Sequence, residues 1–86
     1  MNISVLTPDN SIYTGEVQSV KVPGVSGAFT VLKRHMPIVS SLAQGKVTLS
    51  LEGGKQITFA IEKGFIEVTN DEISLLVQGV SDLQQP

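Results

Sequence analysis

Along this chain apolar residues recur at every second position in short bursts. Ile3 and Val5, Val20 and Val22, Val47 to Leu51, Ile57 to Ile61, Ile66 and Val68, and Ile73 to Val77 all follow the strand period, and no stretch carries a 3.6-residue stripe. The positions between them, Thr48, Ser50, Thr58, Glu67 and Ser74 among others, are polar and point the other way, as in antiparallel sheets with one wet face. The pattern predicts an all-β fold, a two-sheet β-sandwich or flattened barrel of about eight to ten short, mostly antiparallel strands. Val22, Val31, Leu49, Phe59, Phe65 and Leu75 are the expected core, with Phe29 beside them.

Turn chemistry fixes the register, because a one-residue slip moves every side chain to the other face. A two-residue turn at Asn70-Asp71 sets Val68 opposite Ile73 and Ile66 opposite Leu75. At "EGGK", a three-residue loop of Gly53, Gly54 and Lys55 sets Leu51 against Ile57 and Leu49 against Phe59. Val17 and Val20 are an odd number of positions apart, so a bulge or bend near Gln18-Ser19 is expected to turn one long strand from one sheet into the other. The last strand is expected to end near Val77, followed by a short tail without an apolar stripe.

Length allows one small domain over residues 1–86, able to bury roughly 60% of its unfolded surface. The start "MNISVLTPDN" has no basic segment followed by an apolar one, and no apolar run is long enough for a membrane span, so a soluble intracellular protein is expected. Six Lys plus Arg against eight Asp plus Glu, with 5% aromatics, argue against nucleic acid, which needs a basic face and stacking platforms. The absence of cysteine excludes a disulfide framework and thiol chemistry. His35 stands alone between Arg34 and Met36, a poor metal ligand set, and no serine sits in a nucleophile elbow. Asp71-Glu72 reads as turn solvation, and "PGVSG" lacks the Gly-Lys-Ser/Thr of a phosphate loop. Neither an enzyme nor a cofactor or metal site is expected.

The stretch "PGVSGAFTVLKRHMP", residues 23 to 37, is the chemically richest. It can be a plain connection, with Pro23-Gly24 ending a strand, Gly27 at a positive-φ turn position and "KRHMP" a solvated loop. It can also be a docking tip, since Lys33, Arg34 and His35 concentrate positive charge on a chain of net charge -2, and Met36 and Pro37 add adaptable apolar contact.

The run "VPGVSGAFTVLKRHMPIVSSLAQGKV", the later "KGFIEV" and the opening "ISVLTPD" together resemble the N-terminal β-sandwich domain of the epsilon subunit of rotary ATP synthases. The family pattern falls on Pro23, Gly24, Gly27, Val31, Leu32, His35, Pro37, Leu42 and Gly45, then on Gly64, Phe65, Glu67 and Val68, and so spans essentially the whole chain. Relatives often carry an acidic residue where this chain has Ala28, glycine where it has Thr30, and Pro-Gly where it has Lys33-Arg34. Most relatives also continue into a C-terminal helical hairpin domain, which is expected to be absent here.

The resemblance implies a non-catalytic central-stalk subunit that links the gamma subunit to the c-ring and couples proton-driven rotation to ATP synthesis. It implies a place at the cytoplasmic face of the bacterial inner membrane, or its organellar equivalent, without membrane insertion and without nucleotide binding. Lys33, Arg34, His35, Met36 and Pro37 become the expected c-ring-facing loop, and Pro23, Gly24, Gly27, Gly45 and Gly64 the expected loop-shaping residues. The alternative is a free-standing β-sandwich module for a ligand or protein, for which Tyr13 is the candidate binding aromatic.

Overall fold

A computed structural model describes residues 1–86 as ten strands: β1 (Asn2–Leu6), β2 (Ser11–Glu16), β3 (Ser19–Gly24), β4 (Gly27–Leu32), β5 (Ile38–Leu42), β6 (Gly45–Ser50), β7 (Gln56–Ile61), β8 (Lys63–Thr69), β9 (Glu72–Gln78) and β10 (Ser81–Gln84). One helical turn, Glu52–Gly54, interrupts them. The strands run β10-β7-β6-β3-β5-β8-β9-β1-β2, with β4 on β3. All pairings are antiparallel except β1 with β9. The hinge of this curled sheet is β3, whose Val20 faces both Val31 and Leu49 while its last residue, Gly24, pairs with Leu42 of β5. The two halves fold over one another at that corner and enclose a core of 17 apolar side chains, with no buried polar or charged residue.

Alternation decides which side chains enter that core. Val20, Val22, Val47, Leu49, Ile66, Val68, Ile73, Leu75 and Val77 are buried, as the strand period predicts. The β8–β9 hairpin pairs Val68 with Ile73 and Ile66 with Leu75 around a turn whose Asn70 and Asp71 both have positive φ, 50° and 60°. That is the geometry of the hairpin turn that follows the right-handed strand twist.

Four expectations need correction. Phe65 is 40% exposed rather than buried. Its neighbour Ile66 points inward, and successive residues of a strand cannot share a face. Phe29 is only partly buried, packed against the edge of the core. The β6–β7 connection is longer than a three-residue loop: the Leu51 N–H bonds Lys55 C=O at 2.8 Å around the Glu52–Gly54 turn. Leu49 therefore faces Ile57, and Val47 faces Phe59. The two-residue slip preserves parity, so the same side chains stay inside.

The bend expected near Gln18-Ser19 is present at Gln18, and it separates β2 from β3. There the Val17 N–H bonds Met1 C=O and the Gln18 N–H bonds Ser50 C=O, so the chain leaves one half of the fold and joins the other. Finally, residues after Val77 are not a bare tail. Ser81–Gln84 forms β10 against β7, pairing Ser81 with Ala60 and Gln84 with Thr58. All four of its residues are exposed, so no apolar alternation marks it in the sequence; main-chain pairing with the β7 edge holds it.

Candidate docking surfaces

The Lys33–Pro37 loop connects β4 to β5 at one end of the sandwich. The His35 N–H bonds Leu32 C=O at 3.0 Å, closing a turn with Lys33 and Arg34 at its centre. Arg34 has φ 66° while Lys33 is not in the positive-φ region, the pattern of a type II turn. Such turns favour proline and then glycine at those two places, which gives a physical reason for Pro-Gly there. His35 Nδ1 donates to the Met36 carbonyl at 2.7 Å, so its ring braces the loop. Lys33, Arg34, Met36 and Pro37 are exposed, Met36 at 78%.

An acidic turn meets this loop. Asp71 Oδ1 accepts the Arg34 N–H at 2.8 Å, and Asn2 Nδ2 reaches Glu72 Oε1 at 3.5 Å nearby. The tip is therefore not purely basic, and Asp71 does more than solvate its own turn. Neither Lys33 nor Arg34 makes an ion pair; the one within reach anywhere joins the Met1 ammonium to Glu16 at 3.8 Å.

The other residues named from the sequence split by role. Gly24 and Gly27 flank the Val25-Ser26 turn between β3 and β4. Gly27 has φ 129°, open only to a residue without a side chain, whereas a Cβ on Gly24 would lie 2.7 Å from the Gly27 carbonyl oxygen. The Pro23 carbonyl accepts the Ala43 N–H at 2.7 Å, and a Cβ on Gly45 would lie 2.7 Å from Pro23 Cβ. Gly64 sits inside β8 against the Leu76 carbonyl. Pro23, Gly24, Gly27 and Gly45 thus cluster at the end of the sandwich opposite the Lys33–Pro37 loop. Tyr13 is no free aromatic: its ring packs on the core and its hydroxyl donates to Glu16 C=O at 3.0 Å.

Sequence reasoning missed a second surface. On the outer face of β1, β8 and β9, Leu6 and Phe65 both pair with Leu76, and the three are 36%, 40% and 48% exposed. With Thr7 and Pro8 they line an open groove of about 470 Å³. The signal was available: once Ile66 and Leu75 are assigned inward, Phe65 and Leu76 must point outward together. No group of three or more His, Cys, Asp or Glu side chains is placed to hold a metal ion.

Residues 1–82 match the family described as "ATP synthase, Delta/Epsilon chain, beta-sandwich domain". Among curated relatives, an ATP synthase epsilon chain of Chlorobaculum tepidum is 42% identical over 79 residues, covering 92% of this chain and 90% of its own. An epsilon chain of Helicobacter pylori strain P12 is also 42% identical over 79 residues, but there the match spans 63% of the relative. A chain in the Euglena gracilis mitochondrial ATP synthase OSCP/F1/c-ring structure superposes with a TM-score of 0.85 at 25% identity, over 92% of this chain and 51% of that one. One in the Tetrahymena thermophila central stalk/c-ring structure has the same fold, with a TM-score of 0.79 at 12% identity, over 94% of this chain and 65% of that one.

Proposed function

Since this chain belongs to the ATP synthase delta/epsilon chain family through its β-sandwich domain, we propose that it works in the rotor as the non-catalytic link between the gamma subunit and the c-ring. The observation that carries the reading is the match to an epsilon chain over 92% of this sequence and 90% of that relative. Physically the fold suits a mechanical part. Its 17-residue apolar core is continuous, and close-packed interiors transmit force with little compliance.

Two surfaces give such a link two attachments. The exposed Lys33–Pro37 tip, with two unpaired cations beside an apolar methionine and proline, docks on the polar loops of the c-ring. The Leu6, Phe65 and Leu76 face packs against gamma, as an exposed apolar row suits a lasting contact. The complex holds the subunit at the membrane periphery, on the cytoplasmic face in a bacterium, while no helix of the chain is long and apolar enough to cross a membrane.

The test is reconstitution into a cognate ATP synthase depleted of its epsilon chain. The chain should co-purify with gamma and the c-ring and restore ATP-driven proton pumping. Failure to co-purify under conditions where the native epsilon chain does so would refute the assignment. Cross-linkers placed at Met36 should capture the c subunit; capture of gamma instead would reverse the proposed orientation.

A further inference from the structure

Three segments distant in sequence meet at Asp71. Its Oδ1 accepts the Arg34 N–H at 2.8 Å, its main-chain carbonyl accepts the Asn2 N–H at 3.0 Å, and its own backbone, at φ 60°, forms the β8–β9 turn. The other hydrogen bonds of the Lys33–Pro37 loop are local, from His35 to Leu32 and Met36. The Asp71 bond is the one that ties the loop to a distant part of the fold.

The loop needs such a tie. Arg34 occupies the left-handed region at φ 66°, where the side chain of an L-residue crowds the following carbonyl. Lys33-Arg34 lacks both the fixed φ of proline and the freedom of glycine, so nothing local selects the turn. A carboxylate accepting the N–H of the strained residue stabilises that conformation from outside, through a charge-assisted bond. Because it engages the main chain, it leaves the Lys33 ammonium and the Arg34 guanidinium without an ion-pair partner and open to another protein.

We infer that Asp71 is a positioning residue for rotor assembly, holding Lys33–Pro37 in its docking shape before a partner arrives; this rests on the docking role of that loop given above. A loop already ordered avoids the entropic cost of ordering on association.

Amide hydrogen exchange on the full chain and binding to a gamma–c-ring subcomplex test it together. In Asp71→Ala the Arg34 amide should exchange about tenfold faster or more, the effect of losing one bond to a charged group. The core amides of Ile66 and Val68 should keep their protection and so report an intact fold. Association with the subcomplex should weaken several-fold, and Asp71→Asn, which keeps the Oδ1 acceptor, should recover much of both effects. Unchanged Arg34 exchange in Asp71→Ala overturns the inference whatever the partner does. Faster exchange with undiminished assembly also overturns it; if the double charge reversal Lys33→Glu/Arg34→Glu impairs assembly in the same assay, docking stands and positioning alone fails. If charge reversal too leaves assembly intact, the docking role itself falls.

Discussion

Phe65 faces Leu76 directly across β8 and β9, and one step along the same ladder Ile66 faces Leu75; the first pair lies on the outer face and the second in the core. Two adjacent pairs of similar chemistry thus meet different surroundings solely through the pleat. The inner pair stabilises the fold. The outer pair is free to stabilise a complex.

Phe59 and Phe65 should separate these roles in the isolated chain. Phe59 is 1% exposed, so Phe59→Ala should cost about 3–5 kcal/mol in urea unfolding. Phe65→Ala should cost under about 1.5 kcal/mol, since much of its ring is already in water. Equal losses would mean that the faces of β8 are assigned wrongly.

Paired Phe65→Ser and Leu76→Ser substitutions should leave a folded chain with a cooperative thermal transition while weakening gamma binding at least tenfold, as for central contacts of an interface. Calorimetric titration against gamma reads this directly, and undiminished affinity would remove the apolar face from the interface.

Charge reversal at Lys33 and Arg34 should slow association with the c-ring and invert its response to salt, with added salt now relieving repulsion instead of screening attraction. Both side chains are exposed, so folding should change by no more than about 0.5 kcal/mol. An unaltered salt series would exclude an electrostatic role for the tip.

Gly64→Ala should destabilise by about 1–3 kcal/mol through overpacking, because its Cβ would lie 2.7 Å from the Leu76 main-chain oxygen. Gly53→Ala meets nothing within 4 Å, and its φ of 79° should limit the cost to about 1–2 kcal/mol. A Gly64→Ala protein as stable as wild type would show that β8 and β9 part easily.

Arg34→Gly should hold or raise stability by up to about 1 kcal/mol, since glycine enters the left-handed region without the steric cost and keeps the N–H that Asp71 accepts. A clear loss in the chemical denaturation midpoint would mean that the arginine side chain itself braces the loop.

Strand identity, the inward faces and the Asn70-Asp71 hairpin were legible in the sequence because they rest on local, period-two information: Ile66, Val68, Ile73 and Leu75 declare one face, and two adjacent turn residues fix their register. The resemblance to epsilon chains was legible for a similar reason, as its glycines, prolines and His35 keep an ordered spacing along the chain. Phe65 obeys the same period: with Ile66 inward it points outward despite its hydrophobicity. What tertiary structure alone decided is whatever joins residues far apart. β10 exists because β7 offers an unpaired edge, not because Ser81–Gln84 carries a strand pattern. The Glu52–Gly54 turn shifted its hairpin by two residues, which parity cannot detect. Asp71 and Arg34, 37 residues apart, meet only because β5 pairs with β8 and so brings the β4–β5 loop beside the β8–β9 turn. Spacing along a chain sets which way side chains point; which of them touch depends on the order in which the strands pair.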